Sequence, residues 1–343
     1  VLEGHDSKPV IVIIGPTAGG KTALAVDLAL ALRLEPRPHG LLGPGEVISA
    51  DSMLVYRGLN IGSAKPTEDE RRGVPHHCID VAEPTDAFTV HDWLDRANRA
   101  IDEIHSRGGT PIVVGGTHLY VKALIDGLFE GPEPDEALRE RLRALSPVEL
   151  HERLKAVDPA TAARLHVNDT RRAIRALEVY ELTGKPISAM QTQWAGDGSS
   201  FAGGSEAPEG SRPGPKHRFI VVTLDWPVEL VNPRINARVK DMLARGLLDE
   251  VRDLYEAKKF GPQSREGLGY KQLIAFFERQ MKFDEACEAI KIETRRFAKN
   301  QRTWAKRFRG SPGALTLPAT GERGEQALWP ARVLAHTVDI LSK

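Results

Sequence analysis

The sequence predicts an α/β fold, a doubly wound parallel sheet interrupted by a helical insertion domain and followed by C-terminal helices. Three observations carry this expectation: apolar β-branched runs alternate with helical patterns, the strand signal vanishes between Leu128 and His217, and strand then helix return beyond it. Val10–Ile14 (VIVII) is the pattern of a strand buried on both faces, and a helix is predicted over Gly20–Arg33. Val47–Ala50 (VISA), Pro111–Val114 (PIVV) and Phe219–Leu224 (FIVVTL) read the same way, with helical crossovers between them. The intervening stretch holds short charged amphipathic helices at Asp135–Ala144, Pro147–Ala156 and Asp169–Thr183. The expected division is therefore 1–127 with 218–343 as the core and 128–217 as the insertion. Gly196–Pro215 is rich in Gly, Ser and Pro and predicts a disordered loop over about 196–217; Glu35–Gly45 has the same character. The last long helix, Asp284–Arg309, carries a dense basic run.

With 343 residues, 41% hydrophobic and 27% charged, the chain suffices for one large domain plus an attachment. Its 47 Lys and Arg balance 47 Asp and Glu, so any polyanion must be bound by local clusters rather than by the overall field. The two cysteines, Cys78 and Cys287, belong to no ligand spacing, which argues against a disulfide scaffold or structural zinc and fits a reducing cytoplasm. His76, His77 and Cys78 are adjacent, point in different directions and lack a fourth ligand nearby, so they read as structural. The apolar run near the start is too short for a signal-peptide core or a membrane span, and no membrane association is expected.

The strongest local signal is Gly15-Pro16-Thr17-Ala18-Gly19-Gly20-Lys21-Thr22. It matches GxxxxGK[ST] between a buried strand and a helix, the setting of a phosphate-binding loop (P-loop). Glycines let backbone N–H groups converge on phosphate oxygens, Lys21 supplies a charge, and the Thr22 hydroxyl suits Mg²⁺. A di- or triphosphate ligand follows, but its use does not, because kinases, ATPases and GTPases share the loop. The PIVV strand runs into Gly115-Gly116-Thr117 rather than into a metal-binding Asp, which weakens an ATPase reading. The second strand ends in Ser49-Ala50-Asp51-Ser52, so a carboxylate stands at the edge of the sheet where ligands of open α/β folds bind. Asp51 suits either a metal ligand or a proton acceptor. From Lys291 to Arg309, eight Lys or Arg face one acidic residue, Glu293, with Phe297, Trp304 and Phe308 interleaved. Such a helix fits a phosphate backbone, or equally a solvated face with its aromatics in the core.

The motifs GPTAGGKT (15–22), ISADSMLVYRGLNIGSAKPT (48–67), GGTHLYVKAL (115–124), NDTRRAIRALEVY (168–180), GLGYKQL (267–273) and AKNQRTWAKRF (298–308) occur in that order. Together they resemble the tRNA dimethylallyltransferase (tRNA isopentenyltransferase) family over nearly the whole chain. The tail after Arg309 lacks the cysteines of the zinc finger that fungal and animal relatives often carry, which favours the bacterial type. The resemblance implies that the loop Gly15–Thr22 holds the diphosphate of dimethylallyl diphosphate, with Mg²⁺ at Thr22. It implies Asp51 as acceptor of a proton from the N6 amine of the adenine 3′-adjacent to the anticodon, Thr117 as a second diphosphate contact, and Arg238 as a third, with Arg234 as its alternative. Lys21 completes that catalytic set.

Contacts to the tRNA anticodon stem-loop are implied for Asp51, Ser52, Met53 and Leu54; for Arg171, Arg172 and Arg175; for Gly267, Leu268, Gly269, Tyr270 and Lys271; and for Lys299, Asn300, Gln301, Arg302, Trp304 and Lys306. The target adenine must leave its stack to reach Asp51, in a channel the donor enters from the opposite end. A monomer is expected. The rival readings are a small-molecule P-loop kinase, an isopentenyltransferase acting on AMP, and a non-enzymatic RNA-binding protein.

Overall fold

Every residue of β1 (Pro9–Ile14) is buried, because successive side chains of a central strand enter opposite layers. Val10, Val12 and Ile14 enter one apolar layer, and Ile11 and Ile13 the other. The computed structural model describes residues 8–34, 43–128, 131–190, 217–309, 313–322 and 324–342. Around β1, the strands β2 (Gly45–Ala50), β3 (His76–His77), β4 (Thr110–Gly115), β5 (Arg218–Asp225) and β6 (Leu315–Pro318) form a six-stranded sheet. The order is β3-β2-β4-β1-β5-β6, and all pairings are parallel. Register sets Ile14 beside Gly115 and Ala50 beside Gly115, so the segments that follow β1, β2 and β4 leave the sheet at one level. That level contains the point where connections from neighbouring strands diverge, the usual ligand crevice of such sheets.

The four expected strands are present, and β3 and β6 join them at the two edges. At two and four residues, these edge strands are too short to register as hydrophobic periodicity. Two residues of the His76–Cys78 cluster form β3: His77 Nε2 lies 2.8 Å from a Glu46 carboxylate oxygen, and His76 Nδ1 lies 2.8 Å from the Val74 carbonyl.

The helices of this unit are α1 (Lys21–Leu34), α2 (Glu68–Arg71), α3 (Val90–Ser106) and α4 (His118–Asp126), all ahead of the insertion. In α3, Trp93, Ala97, Ala100, Ile101 and Ile104 recur at helical spacing and face the sheet, and Thr89 and Asp92 close a capping box at its start. Trp93 also donates to the Ser49 carbonyl at 2.7 Å, which pins the end of β2 just before Asp51. Burying its ring removes on the order of 200 Å² from water, worth about 5 kcal/mol by area.

The chain divides into two compact units, Val1–Ile125 with Ser200–Lys343 and Asp126–Ser199. The second contains α5 (Glu136–Arg143), α6 (Pro147–Val157), α7 (Pro159–Ala162), α8 (Thr170–Thr183) and α9 (Ile187–Met190) around a core that includes Leu138, Leu142, Leu150, Leu154 and Leu177. Asp135 and Asp169 lie one residue outside the helices predicted to include them, because their side chains cap α5 and α8. Within this core Glu178 is fully buried, where it accepts from Arg139, Arg175 and the Asp135 amide. Burial opposes its ionisation, but the two arginines outweigh it and hold the carboxyl below its ordinary range.

The first unit continues with α10 (Val228–Ala244), α11 (Leu247–Glu256), α12 (Tyr270–Phe277), α13 (Phe283–Ala305) and α14 (Trp329–Leu341). The basic helix is thus not the last: β6 and α14 follow it, with α14 packed against α1. Residues 196–216 of the expected loop lie outside the described residues, whereas His217 is buried with its ring edge-on to Phe219. Of the shorter loop, 35–42 lie outside them, and Gly45 already opens β2. No helix among the described residues is long and apolar enough to cross a membrane.

Candidate active site

The phosphate loop leaves β1 at Gly15 and feeds α1 at Lys21. Gly20 has φ +83°, a left-handed conformation that glycine adopts without cost. Lys21 Nζ donates to the carbonyls of Gly15, at 3.0 Å, and Pro16, at 2.8 Å. Burial, with the neighbouring Arg238 adding to it and Asp51 opposing, pushes the Lys21 ammonium down to about 7. Burial likewise lowers Arg238, against the pull of Asp51 and Glu70. Two cations crowd one concave site, an arrangement an anionic ligand would relieve.

Two cavities meet here. The smaller, about 150 Å³, is lined by Gly19, Gly20, Lys21, Thr22, Ser49 and Arg238 among others. The larger, about 460 Å³, is lined by Ser52, Met53, Thr117, Met242, Leu247 and Asn300 among others. Thr17, Asp51, Ser63, Arg238 and Phe297 belong to both. A third cavity, about 400 Å³, shares Thr22, Ala64, Pro66 and Arg238 with the small one and adds Lys65, Arg72 and Arg245. The small cavity therefore lies between two larger openings.

Asp51 follows β2, and its Oδ1 accepts from the amides of Met53, at 2.8 Å, and Leu54, at 3.4 Å. These bonds orient the carboxylate within its turn, with no bond from the other oxygen to a neighbouring residue among the described hydrogen bonds. Thr117 donates its amide to Ala50, and its Oγ1 accepts from the Ser52 amide at 3.0 Å. Thr117 lines the larger cavity with Asp51, Thr17 and Arg238. Arg238 lines all three cavities. Its alternative, Arg234, instead donates to the Ala18 carbonyl at 2.8 Å and lies over the Trp226 ring. Geometry thus separates the two arginines the sequence left open.

The residues expected to meet RNA divide by direction. On α13, Lys299 and Asn300 are exposed, as is Lys306 in the turn that follows it, while Gln301 is 3% exposed. Arg302 donates to the Trp226 carbonyl, and Trp304 stacks on His118 with ring centres 4.5 Å apart. Gly267, Leu268 and Gly269 line the larger cavity. A Cβ at Gly267 would lie 2.8 Å from the Met53 sulfur, so a side chain there would disturb that wall. Tyr270 is fully buried and donates to Glu250, whereas Lys271 pairs with Glu293 at 2.6 Å. In the other unit, Arg171 and Arg172 are exposed, Arg172 pairing with Asp169, and Arg175 is directed to Glu178 and the Pro132 carbonyl.

Two residues escaped the sequence reading. Glu250 accepts from the amides of Asn60, Ile61 and Gly62 and from the Tyr270 hydroxyl, and so holds the loop that brings Ser63 to both cavities. No local signal marks it, because its three amide partners lie 188 to 190 residues away. Ser49 is 2% exposed, and its hydroxyl lines the small cavity with no hydrogen-bond partner. With Thr22 and Asp51 it makes a hard-oxygen set that fits Mg²⁺, an ion that keeps several waters and completes its shell with substrate phosphates. Among the described residues no group of three or more His, Cys, Asp or Glu could hold a metal without such oxygens.

Residues 54–308 match the family model described as IPP transferase. The chain is 43% identical over 311 residues to a tRNA dimethylallyltransferase of Pelotomaculum thermopropionicum, covering 89% of this chain and 90% of that protein. It is 41% identical over 338 residues to one of Syntrophobacter fumaroxidans, covering 97% and 89%. Among solved structures it is similar to the full-length tRNA isopentenylpyrophosphate transferase of Bacillus halodurans, with TM-score 0.66, 35% identity and 98% of both chains covered. It is also similar to a eukaryotic dimethylallyltransferase acting on tRNA, with TM-score 0.76 and 29% identity over 98% of this chain and 80% of that one. Matching a family model across about three-quarters of its length and these relatives over nearly its full length, the chain belongs to the IPP transferase family, that of the tRNA dimethylallyltransferases.

Proposed function

We propose that this enzyme transfers the dimethylallyl group of dimethylallyl diphosphate to the N6 amine of the adenine beside a tRNA anticodon, and that the two cavities meeting at Asp51 and Arg238 hold the donor and the acceptor. That junction is the observation that carries the reading: a phosphate loop lines one side, a carboxylate stands between, and an apolar-walled cavity opens on the other. In the reaction the bond between the allylic carbon and the diphosphate oxygen breaks, and a bond from that carbon to N6 forms. The amine proton passes to Asp51, and diphosphate leaves with the electron pair of the broken C–O bond, carrying one negative charge more than it does in the donor.

Adenine's amine is a weak nucleophile, so Asp51 works as an oriented base while the cavity walls hold the reacting atoms in line. Lys21, Arg238 and the loop amides meet the charge that grows on the leaving group. Mg²⁺ held by Thr22, with Ser49 and Asp51 beside it, would neutralise part of that charge when bound. Phe297, 37% exposed and lining both cavities, supplies apolar cover for the five-carbon chain. The third cavity, which meets the small one at Thr22 and Arg238, is the route we assign to the donor; its Lys65, Arg72 and Arg245 are paired with Asp80, Asp27 and Asp241. Exposed Arg296 and Lys299 on α13, with Lys306 in the turn after it, favour RNA over free AMP as acceptor.

The direct test incubates the chain with Mg²⁺ and radiolabelled dimethylallyl diphosphate, offering unmodified tRNA in one tube and AMP in another. Label on tRNA alone is expected. Label on AMP would move the acceptor, and ATP turnover without any transfer would return the loop to a kinase.

A further inference from the structure

We infer that Gln301 is a positioning residue, through which helix α13 holds the phosphate loop and the Gly116–Thr117 turn in register across the junction of the two cavities. The inference rests on the proposed transfer for part of its readout. Gln301 Oε1 accepts from the Thr17 amide at 2.7 Å, and its Nε2 donates to the Gly116 carbonyl at 3.1 Å. Both ends of one buried amide are therefore engaged, on segments 284 and 185 residues away in sequence. Gly116 leaves the room this requires, since a Cβ there would lie 1.9 Å from Gln301 Nε2.

The next residue, Thr117, continues the path: its Oγ1 accepts from the Ser52 amide, beside Asp51. A chain of contacts thus runs from the opening of the phosphate loop, through Gln301 and Thr117, to the turn that carries the proposed base. Helix α13 is itself anchored around this point, with Ala298 and Ala305 buried and Trp304 stacked on His118. Among the long unbranched polar side chains, only the amide meets the requirement without a proton change. Glutamate offers two acceptors, lysine and arginine offer none, and a backbone N–H on one side with a C=O on the other demands one acceptor and one donor. Gln301 is thereby separated from the exposed positions of α13: it acts inward on donor and base, not outward on RNA.

The test compares Gln301→Met, which keeps the length and removes both bonds, with Gln301→Glu and with Gly116→Ala, which presses on the amide from its other side. Dissociation constants are measured for inorganic diphosphate, for dimethylallyl diphosphate and for unmodified tRNA, together with the single-turnover rate. For Gln301→Met and Gly116→Ala we expect weaker diphosphate and donor binding and slower transfer, each by about tenfold or more, with tRNA affinity held within about twofold. Gln301→Glu has a signature that packing does not mimic. Its anion cannot donate to Gly116, whereas its neutral acid offers a C=O and an O–H in place of the amide. Its activity relative to the parent should therefore rise as pH falls from about 8 to about 6.

Loss of tRNA affinity with donor binding unchanged would overturn the inference and return Gln301 to the RNA surface. A pH-independent loss that merely follows a lowered melting temperature in all three variants would overturn it as well. Absence of transfer in the parent chain would sink the proposed function instead, and the diphosphate measurements would still decide the role of Gln301.

Discussion

The two cavities that share Asp51 are built in different ways. The small one is walled mainly by a continuous motif, residues 17–23, and by the ends of strands β2 and β4. The larger one is assembled from side chains near residues 51–53, 62–63, 238–247, 266–269 and 290–300, which meet only in the folded chain. One site is mainly local in sequence, and the other is made by bringing α10, the start of α11, residues 266–269 and α13 around a turn. The difference predicts that damage to the small cavity will be felt in donor chemistry and damage to the large one in RNA.

Asp51, common to both, should give the largest effect. Asp51→Ala is expected to slow single turnover by about 10²–10⁴-fold while leaving the dissociation constant for diphosphate nearly unchanged. Equal losses in rate and donor affinity would assign the carboxylate to the donor side alone. Next in size is the outer face of α13 and the turn that follows it, where Arg296, Lys299 and Lys306 are exposed. Replacing all three by Gln should weaken tRNA binding by about tenfold to a hundredfold and flatten its log–log salt dependence by about 2, with diphosphate binding untouched. Arg295 and Arg302 are poorer choices for that experiment, because they donate to Asn236 and to the Trp226 carbonyl.

Phe297 probes the boundary between the cavities. Phe297→Ala should weaken binding of dimethylallyl diphosphate by about tenfold and leave inorganic diphosphate alone, since only the apolar chain loses its cover. Similar losses for both ligands would mean that the ring supports the phosphate loop rather than the donor tail.

The smallest expected effect concerns the His118–Trp304 stack, which ties α4 to α13. Burial, helped by Lys21 and Arg307, lowers His118 from its ordinary 6.5 to about 4. Its imidazole therefore stays neutral in the folded protein where the unfolded chain takes up a proton. Its contribution to stability is full above about pH 6.5 and is lost as pH falls toward 4. Melting temperatures at pH 7 and pH 5 should fall less between the two for His118→Phe than for the parent. An equal fall would place the acid sensitivity elsewhere.

Much of the core was legible because its patterns are local. β-Branched runs marked four strands, and GPTAGGKT marked the loop between β1 and α1. The two edge strands were not, because two to four residues carry no periodicity and only their neighbours make them strands. Arg171, Arg172 and Arg175 illustrate the same limit in the helical unit. All three look alike as basic residues of one helix, yet Arg175 turns inward to the buried Glu178 while Arg171 and Arg172 remain exposed. On α13 and the turn after it the sequence likewise did not distinguish Gln301 and Arg302, bonded to the phosphate-loop side, from Lys299 and Lys306, exposed to solvent.

By itself, then, the sequence determined the sheet's central strands, the phosphate-binding loop, the carboxylate at the end of β2 and the basic character of α13. Those features follow from backbone constraints and side-chain periodicity among residues a few positions apart. Only the tertiary structure decided that Arg238 rather than Arg234 lines the cavities, that Glu250 holds the loop at Gly62, and that Gln301 joins Thr17 to Gly116. The physical reason is that a polar side chain's role is set by the donors and acceptors it meets, and these lie tens to hundreds of residues away along the chain.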